Sequence, residues 1–531
     1  MYDFIFFNST PNKTLKIRGL GPYALVPEIE KLGLSVYVID FIESWPLEDL
    51  EKLLRKIVSP NTKYLGLSTT WSGMYFNPEQ PGENNLMADY LWNGNLEKIK
   101  DIMKEISPTL KVLVGGSKAA GADKKLGDKV DHIFQGFGET QIVDFLKSPE
   151  DYGRLINHDK EAWAKHTGFD FAKANPKFPK HALLTKHEVV PIECARGCPF
   201  KCKFCAFPLI GMKDAANYIK HKEIVRDQFM YNYETFGIQK YSIQDDTFND
   251  TLDKVKLYAE VAQSLPFKIY FWCYIRADLL VTQPEQISLL HEMGLTQCWM
   301  GIETYNREAG KVVGKGLDPN RIKDMLYKAA EVWGRDVFIS QGYIVGLPGE
   351  NKQSITDSYN WLMEEDCPVD MCLFLPLGIR SRLYTESIND YYLSEFDKNH
   401  EKYGYMFPHV TPESFKDPSR MRDFYRWVKN DGTDIGSFDE AVEFTKSLGR
   451  ESQIHPNQKI ILTAKSKNRK LSVMDTAKDL EEITYTTDEL RSLSVEETIK
   501  VMEIYKKYDD IELYNKMLKR TYIDPVLKSV E

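Results

Sequence analysis

Half of the chain's eight cysteines fall within twelve residues, at Cys194, Cys198, Cys202 and Cys205. The other four lie downstream, and none precedes Cys194. So many thiols on one short loop predict a disulfide staple, a zinc site or an iron–sulfur cluster. Within this cluster, three residues separate Cys198 from Cys202, and two residues separate Cys202 from Cys205.

A structural zinc site is the first alternative for this loop. Zinc sites of this type usually combine two short segments, each with two closely spaced Cys or His ligands, separated by a longer stretch of chain. The cysteine loop has no obvious second segment of this kind. Three thiolates can instead hold three corners of a [4Fe–4S] cluster and leave the fourth iron open. The spacing favours the cluster, and a non-catalytic zinc-binding protein stays as a remote alternative.

Length and charge limit the remaining possibilities. A chain of 531 residues predicts two to four domains. The net charge of -9 argues against a dedicated nucleic-acid binder. We find neither a secretory signal nor an apolar stretch near the roughly 20 residues that span a bilayer. We therefore expect a cytoplasmic protein that does not enter a membrane, with no disulfide framework.

Strand-like and helix-like segments alternate over residues 1–145. The strand candidates are 35–41, 64–70, 111–116 and 131–136. This order predicts an α/β domain with a doubly wound parallel sheet and a ligand crevice beyond the strand C-termini. The residues expected around that crevice are Ser68, Thr69, Gly115, Gly116 and Gly138.

A second alternating series fills residues 188–395, after a connecting arm at 146–187. Its strand candidates are 188–194, 240–246, 268–276, 297–303, 337–346 and 369–376. Six such units predict a partial (β/α)6 barrel with its active site at the C-terminal ends of the strands. Residues 396–531 predict a mainly helical region that helps to shape the substrate pocket.

The segment CPFKCKFC (198–205) resembles the hallmark of the radical S-adenosylmethionine (SAM) superfamily, C-x3-C-x2-C with an aromatic residue before the last cysteine. RGCP (196–199) is typical of the branch whose members often bind cobalamin. Other segments follow in the family's order and spacing, and the resemblance covers roughly 190–385. These further segments are QDDTFND (244–250), CYIRADLL (273–280), GIETYNREAGKVVGKG (301–316) and GYIVGLPGE (342–350).

The resemblance implies that Cys198, Cys202 and Cys205 hold a [4Fe–4S] cluster whose open iron binds SAM. The residues expected to contact SAM are Phe204, Asp245, Asp246, Arg276, Glu303, Tyr305, Gly346 and Pro348. Carboxylates can accept hydrogen bonds from the SAM ammonium, and a guanidinium can pair with its carboxylate. Structural roles are the alternatives: Asp246 as a helix cap, Arg276 in an ion pair. Cys194 is expected to be a neutral strand residue.

Residues 1–145 resemble the cobalamin-binding domain of class B radical SAM methyltransferases, through EIEKLGLSVYVIDF, LGLSTT, KVLVGG and VDHIFQGFGET. The D-x-H-x-x-G pattern that supplies an axial histidine does not fit here, because Asp131 is adjacent to His132. His132 is therefore expected to be structural. Methylthiotransferases of the superfamily carry a second cysteine triad in this domain, and its absence sets that function aside.

The sequence thus predicts a radical SAM enzyme that cleaves SAM reductively to a 5′-deoxyadenosyl radical. Cobalamin-dependent methylation of an unactivated carbon is the expected reaction, and cyclisation or rearrangement without methyl transfer is the alternative. The expected partners are a small-molecule or peptide substrate and an electron donor such as flavodoxin or ferredoxin. Arg380 and Arg382, after the sixth strand, are candidates for binding an anionic group or are simply solvated.

Overall fold

A computed structural model provides the structure of the chain. It describes residues 1–9, 18–68, 91–116, 119, 127–135, 138–157, 169–186, 188–206, 218–334, 336–385, 393–449, 459–462 and 518–531. Thr69, expected at the crevice, lies outside the described residues. No helix in these ranges has both the length and the apolar character needed to cross a bilayer.

The N-terminal sheet is parallel throughout, with the strand order β2-β1-β3-β4-β5-β6. Its strands are β1 (Phe4–Phe7), β2 (Val36–Ile39), β3 (Tyr64–Ser68), β4 (Lys111–Gly116), β5 (His132–Gln135) and β6 (Leu155–Asn157). The four predicted strands are confirmed, and β1 and β6 are additional. The order reverses between β1 and β3, and a sheet of this kind binds ligands at that reversal.

Helices cover both faces of this sheet. They are α1 (Gly21–Glu30), α2 (Leu47–Ile57), α3 (Leu96–Ile106) and α4 (Gly138–Lys147). Alternate residues of β1 belong to two different hydrophobic cores: Phe4 and Phe6 to one, Ile5 and Phe7 to the other. A strand that is buried on both faces has a continuous apolar sequence instead of an alternating one, as in FIFF. The predicted doubly wound α/β fold is confirmed.

The second sheet contains six parallel strands in the order β7 to β12 and a seventh, antiparallel strand beside β12. These strands are β7 (Val189–Ile192), β8 (Lys240–Ile243), β9 (Tyr270–Arg276), β10 (Leu295–Glu303), β11 (Phe338–Val345), β12 (Met371–Pro376) and β15 (Lys459–Leu462). All six predicted strands are confirmed. The end of this sheet at which the parallel strands reach their C-termini is called the barrel mouth below.

Helices alternate with the barrel strands. They are α5 (Lys222–Phe236), α6 (Leu252–Gln263), α7 (Ala277–Thr282), α8 (Glu285–Glu292), α9 (Arg307–Val313), α10 (Pro319–Trp333) and α11 (Lys352–Leu362). Cys273 and Cys298 are paired residues of β9 and β10 and are fully buried in the core, as expected for small hydrophobic side chains. Tyr274, the next residue of β9, pairs with Trp299 and is 41% exposed.

The described part of the C-terminal region is mainly helical, as predicted, and includes a short two-stranded sheet. Its elements are α12 (Arg382–Thr385), α13 (Glu395–Lys398), β13 (Tyr405–Met406), α14 (Pro412–Lys416), β14 (Val428–Lys429), α15 (Phe438–Ser447) and α16 (Asp524–Ser529). Residues 518–531 pack against the N-terminal sheet, where Tyr522 lies beside Phe41 and Trp45. The domain boundaries drawn from the sequence stay a prediction. β6 lies within the predicted connecting arm, 146–187, and pairs with β5 of the N-terminal sheet.

Candidate functional site

The cysteine loop follows β7 at the barrel mouth. Cys198 is buried, and Cys202 and Cys205 are half-buried. Gly197 has a φ of +101°, a left-handed conformation that glycine adopts without a steric penalty, and it turns the chain immediately before Cys198. The N–H of Cys205 donates to the carbonyl of Cys202 at 3.1 Å, which closes the second turn. Within the described ranges, no three or more His, Cys, Asp or Glu side chains gather around the position of one metal ion.

The thiols of Cys198 and Cys202 each lie beside a polar side chain. The Cys198 Sγ lies 3.3 Å from the Thr247 hydroxyl, and the Cys202 Sγ accepts a hydrogen bond from Arg276 Nη1 at 3.1 Å. Burial raises the pKa of the Cys198 thiol, and its hydrogen bond with Thr247 lowers it. Donors to sulfur stabilise the thiolate form, which is the form that binds iron. The donor set therefore fits thiolate ligation by this loop.

Cys194 lies apart from this arrangement. Its side chain is 1% exposed and belongs to the main hydrophobic core. Burial, with the Asp245 charge beside it, raises the pKa of its thiol well above the usual value. A buried thiol that resists ionisation is a poor metal ligand, and this position agrees with the neutral role expected from the sequence.

Asp245 braces the strand end that leads into the loop. Its Oδ1 accepts hydrogen bonds from the N–H groups of Cys194 at 2.7 Å and Ala195 at 2.9 Å. Its Oδ2 lies 2.8 Å from Lys254 Nζ, and both side chains of this pair are fully buried. The carboxylate is thus committed to protein groups, and its position does not favour the expected contact with SAM.

Asp246 is half-buried and follows at the barrel mouth. It accepts a hydrogen bond from the N–H of Gly197. Burial raises the pKa of this carboxyl to about 7, and the nearby charges of Glu193 and Asp245 contribute. A cation placed beside Asp246 would restore its ionised form, so its position suits an ammonium group.

Arg276 ends β9 and joins the loop to the barrel. Its guanidinium donates to both carboxylate oxygens of Asp278, at 2.9 and 2.5 Å, and lies 3.9 Å from the ring centroid of Phe200. The side chain of Asn249 bonds both the N–H and the carbonyl of Arg276. The ion pair that the sequence left as an alternative is therefore present, and the same guanidinium also contacts Cys202.

Glu303 ends β10 in an unusual backbone conformation. Its φ of +70° is left-handed, which costs a non-glycine residue about 1–3 kcal/mol and is typical of functional sites. Its Oε1 accepts a hydrogen bond from Lys315 Nζ at 3.0 Å. A Cβ atom on Gly342 of the neighbouring strand β11 would lie 3.7 Å from Glu303 Oε2. Gly342 thus leaves a space the size of a Cβ atom beside this carboxylate, whose backbone is strained.

Tyr305 is placed differently from the expectation. Its hydroxyl donates to Gln341 Oε1 at 2.8 Å, and its ring packs edge-on against Trp361 of α11. The side chain is 8% exposed and belongs to the core between the sheet and its helices. This position does not favour contact with a ligand at the barrel mouth. Phe204 is half-buried and packs against the same core.

The loop after β11 has little freedom at its first residue. Gly346 has a φ of +99°, and a Cβ atom there would lie 2.7 Å from the Trp427 ring. Its carbonyl accepts a hydrogen bond from the Tyr405 hydroxyl at 2.7 Å. Pro348 follows and is half-buried. The C-terminal region therefore fixes the loop in which SAM contacts were expected.

Some residues of the site were missed by the sequence reasoning. Thr247 belongs to QDDTFND, so its position next to the two aspartates was a usable signal. Glu350 is fully buried, where Thr304 and Tyr343 donate to its Oε1 at 2.5 and 2.7 Å. Burial raises the pKa of Glu350 to about 8. Neither this residue nor Lys254 could be recognised as buried from its own type.

The crevice of the N-terminal sheet brings several expected residues together. Ser68 and Gly115 are paired on β3 and β4, and Gly116 follows with a φ of +117°. Gly138 starts α4, where a Cβ atom would lie 3.2 Å from the Leu25 side chain of α1, a tight contact that Leu25 would have to relieve by moving. Asn8, at the end of β1 and thus at the strand reversal, was not predicted.

Arg380 is paired within the protein. Its guanidinium donates to Asp397 Oδ2 at 2.7 Å, and the backbone N–H of Arg380 donates to Asp397 Oδ1 at 2.8 Å. The carboxylate therefore occupies the position that the anionic group suggested by the sequence would have taken.

Residues 192–362 match the sequence family described as the radical SAM superfamily. Bacteriochlorophyllide d C-12(1)-methyltransferase of Chlorobaculum tepidum is 24% identical over 246 residues, which are 45% of this chain and 50% of that protein. The anaerobic magnesium-protoporphyrin IX monomethyl ester cyclase of Cereibacter sphaeroides is 22% identical over 359 residues, 60% of this chain and 54% of that protein. The chain thus spans about half the length of these relatives.

A solved structure extends the comparison to almost the whole chain. The radical SAM methyltransferase TsrM from Kitasatospora setae, with tryptophan substrate and a SAM analogue bound, matches with a TM-score of 0.60 and 13% identity. The match covers 94% of this chain and 99% of that one, so the two chains share a fold. The family carries a [4Fe–4S] cluster and uses SAM. Residues 192–362 of this chain therefore match a radical SAM domain in sequence, and the chain shares the fold of a solved radical SAM methyltransferase.

Proposed function

We propose that this chain is a cobalamin-dependent radical SAM enzyme that methylates an unactivated carbon of a small molecule or peptide. The observation that carries the radical SAM part is the pair of polar contacts at the loop thiols, the Thr247 hydroxyl beside Cys198 and the Arg276 guanidinium on Cys202. Hydrogen bonds to cluster sulfurs tune the reduction potential of iron–sulfur sites.

The cluster would be held by Cys198, Cys202 and Cys205. When bound and reduced, it supplies the electron that splits the sulfur–C5′ bond of SAM and leaves a carbon radical. The chain's own residues hold the loop in place for this step. Asp245 fixes the backbone of Cys194 and Ala195, and Arg276 carries a positive charge to the sulfur of Cys202.

SAM would lie across the barrel mouth, between the cysteine loop and the strand ends. Asp246 would accept hydrogen bonds from the ammonium, because that contact relieves the cost of ionising a half-buried carboxyl. Glu303 would accept from the ribose hydroxyls, and Gly346 and Pro348 would bring backbone against the adenine. Arg276 keeps its pair with Asp278, so it would act on the cluster loop more than on the SAM carboxylate.

Cobalamin would occupy the crevice between β1 and β3, against Ser68, Gly115, Gly116 and the start of α4. Bound cobalamin supplies the methyl group in enzymes of this branch. The fold of TsrM and the match to a bacteriochlorophyllide methyltransferase support this part of the proposal. The match to a cyclase supports the second candidate, ring formation or rearrangement without methyl transfer. A reductant such as flavodoxin or ferredoxin would supply the electron.

The first experiment is anaerobic purification and reconstitution with iron and sulfide, followed by SAM and dithionite. We expect 5′-deoxyadenosine to form, and Ala substitutions of Cys198, Cys202 or Cys205 to abolish cluster assembly. Cys194→Ala is the matched control and should retain the cluster. Bound zinc without sulfide would instead support the non-catalytic alternative.

A second measurement decides the cobalamin claim. The protein is incubated with hydroxocobalamin, desalted and examined by absorption spectroscopy. Retention of about one cofactor per chain is expected. An intact cluster that cleaves SAM in a protein retaining no cobalamin would favour the second candidate.

A further inference from the structure

Arg196 lies where the N-terminal domain meets the cysteine loop. It precedes Cys198 by two residues, and its backbone N–H donates to the carbonyl of Tyr218 at 2.9 Å. The side chain is only 11% exposed. A guanidinium this deeply placed requires partners, because it stays charged at every accessible pH.

The partners of Arg196 come from two parts of the chain. Nε and Nη2 donate to the two carboxylate oxygens of Glu193, each at 2.7 Å. Nη1 donates at 2.6 Å to Glu139, the second residue of α4, whose side chain is 5% exposed. The planar fork of the guanidinium fixes the direction of all three bonds. One side chain thus links the helix beside the cobalamin crevice to the loop that carries the cluster.

The surroundings balance the charge of this link. The guanidinium lies 4.7 Å from the ring centroid of Phe171, and Lys220 Nζ lies 5.2 Å from the same centroid. Lys220 is 1% exposed, and the Glu193 charge acts on its ammonium. Two cations and two carboxylates therefore share one buried site. Breaking the link would leave buried charges without partners, so the arrangement has little tolerance for displacement.

We propose that Arg196 is a positioning residue that holds α4 and the cysteine loop in a single arrangement. Through this link, the separation between the cobalamin crevice and the cluster would be fixed before any ligand binds. This inference rests on the proposed function, because two cofactors that act on one substrate need a fixed separation. Misplacement of reacting groups by about 1 Å can cost roughly 100-fold in rate.

The test uses the full chain, reconstituted anaerobically, with the variants Arg196→Lys, Glu139→Gln and their combination. Lys keeps the charge but not the fork, and Gln keeps the shape but not the charge. Arg420→Lys, in an exposed pair with Asp423, is the matched control. Three quantities are measured: iron and sulfide content, the electron paramagnetic resonance spectrum of the reduced cluster with and without SAM, and the rate of 5′-deoxyadenosine formation.

We expect both single variants to keep iron and sulfide while their spectra change. Formation of 5′-deoxyadenosine should slow by about 10- to 100-fold, the usual effect of losing a residue that orients a metal ligand. The double variant should be no slower than the worse single variant, because both break one link. The control should match the wild type.

Three results would overturn the inference. Wild-type spectra and rates in Glu139→Gln would show that the loop does not depend on α4. Additive losses in the double variant would show two separate roles, and loss of the fold in both single variants would show a purely structural one. A wild-type protein that assembles no cluster would overturn the proposed function as well, whereas normal variants with an active wild type would overturn this inference alone.

Discussion

The strongest quantitative prediction concerns Arg18, which joins the N-terminal sheet to the start of β7. It donates to Asp40 and, through Nε at 2.8 Å and Nη2 at 3.1 Å, to Glu188. The side chains of all three residues are 1–2% exposed. Arg18→Met would remove the cation and leave two buried carboxylates facing each other. Breaking a buried pair in this way costs about 3–5 kcal/mol, mostly because the remaining charge is left unpaired.

The assay is urea unfolding at neutral pH, followed by circular dichroism and by tryptophan fluorescence. Arg55→Met is the matched control, because Arg55 also bonds two carboxylates, of Glu51 and Glu105, but is 45% exposed. Exposed pairs of this kind contribute little, so its midpoint should stay at the wild-type value. Adding Glu188→Gln to Arg18→Met should recover part of the loss. Equal midpoints for Arg18→Met and Arg55→Met would refute the reasoning.

Three further predictions use the same unfolding assay. Gly346→Ala should destabilise the protein by about 2–5 kcal/mol, the sum of roughly 1–2 kcal/mol for the positive φ and roughly 1–3 kcal/mol for the contact with Trp427. Gly404 also has a positive φ, of +83°, but open space around it, so Gly404→Ala should lose only the first contribution. Burial lowers the pKa of His181 to about 4, so the unfolded state takes up a proton first as the pH falls. The free energy of unfolding should fall by about 3 kcal/mol between pH 6.5 and 4, and His181→Phe should remove this pH dependence. Burial raises the pKa of Glu350 to about 8, so the unfolded state loses its proton first as the pH rises. The free energy of unfolding should fall by on the order of 4 kcal/mol between pH 4.5 and 8, and Glu350→Gln should abolish this fall. An unchanged pH dependence in Glu350→Gln would contradict a neutral buried carboxyl.

Much of the fold could be predicted from periodicity. Strands such as 36–39 and 338–345 are short apolar runs between amphipathic helices, and this order admits few topologies. β1 was missed because FIFF precedes any helix and shows no alternation. β15 was missed because it lies in a region of helical composition and pairs with β12, far away along the chain.

The candidate site divides in the same way. The cysteines predicted as ligands are local in sequence, so their spacing alone is enough to propose them. Asp245 and Tyr305 are strand-end residues whose neighbours in space come from elsewhere, and the burial of a side chain cannot be read from its own position. Arg196 was visible as part of RGCP, but its bond to Glu139 spans 57 residues and required the structure.

The packing of residues 518–531 has a consequence for how the protein is made. Tyr522 and Val526 complete a core whose other members, such as Phe41 and Leu50, belong to the N-terminal sheet. β6 ends at residue 157, so the ribosome finishes the sheet long before it reaches residue 518. At about 5–20 residues per second, the delay is roughly 20–70 s. During that time the first domain lacks part of its core, and the apolar surface that Tyr522 and Val526 later cover stays exposed.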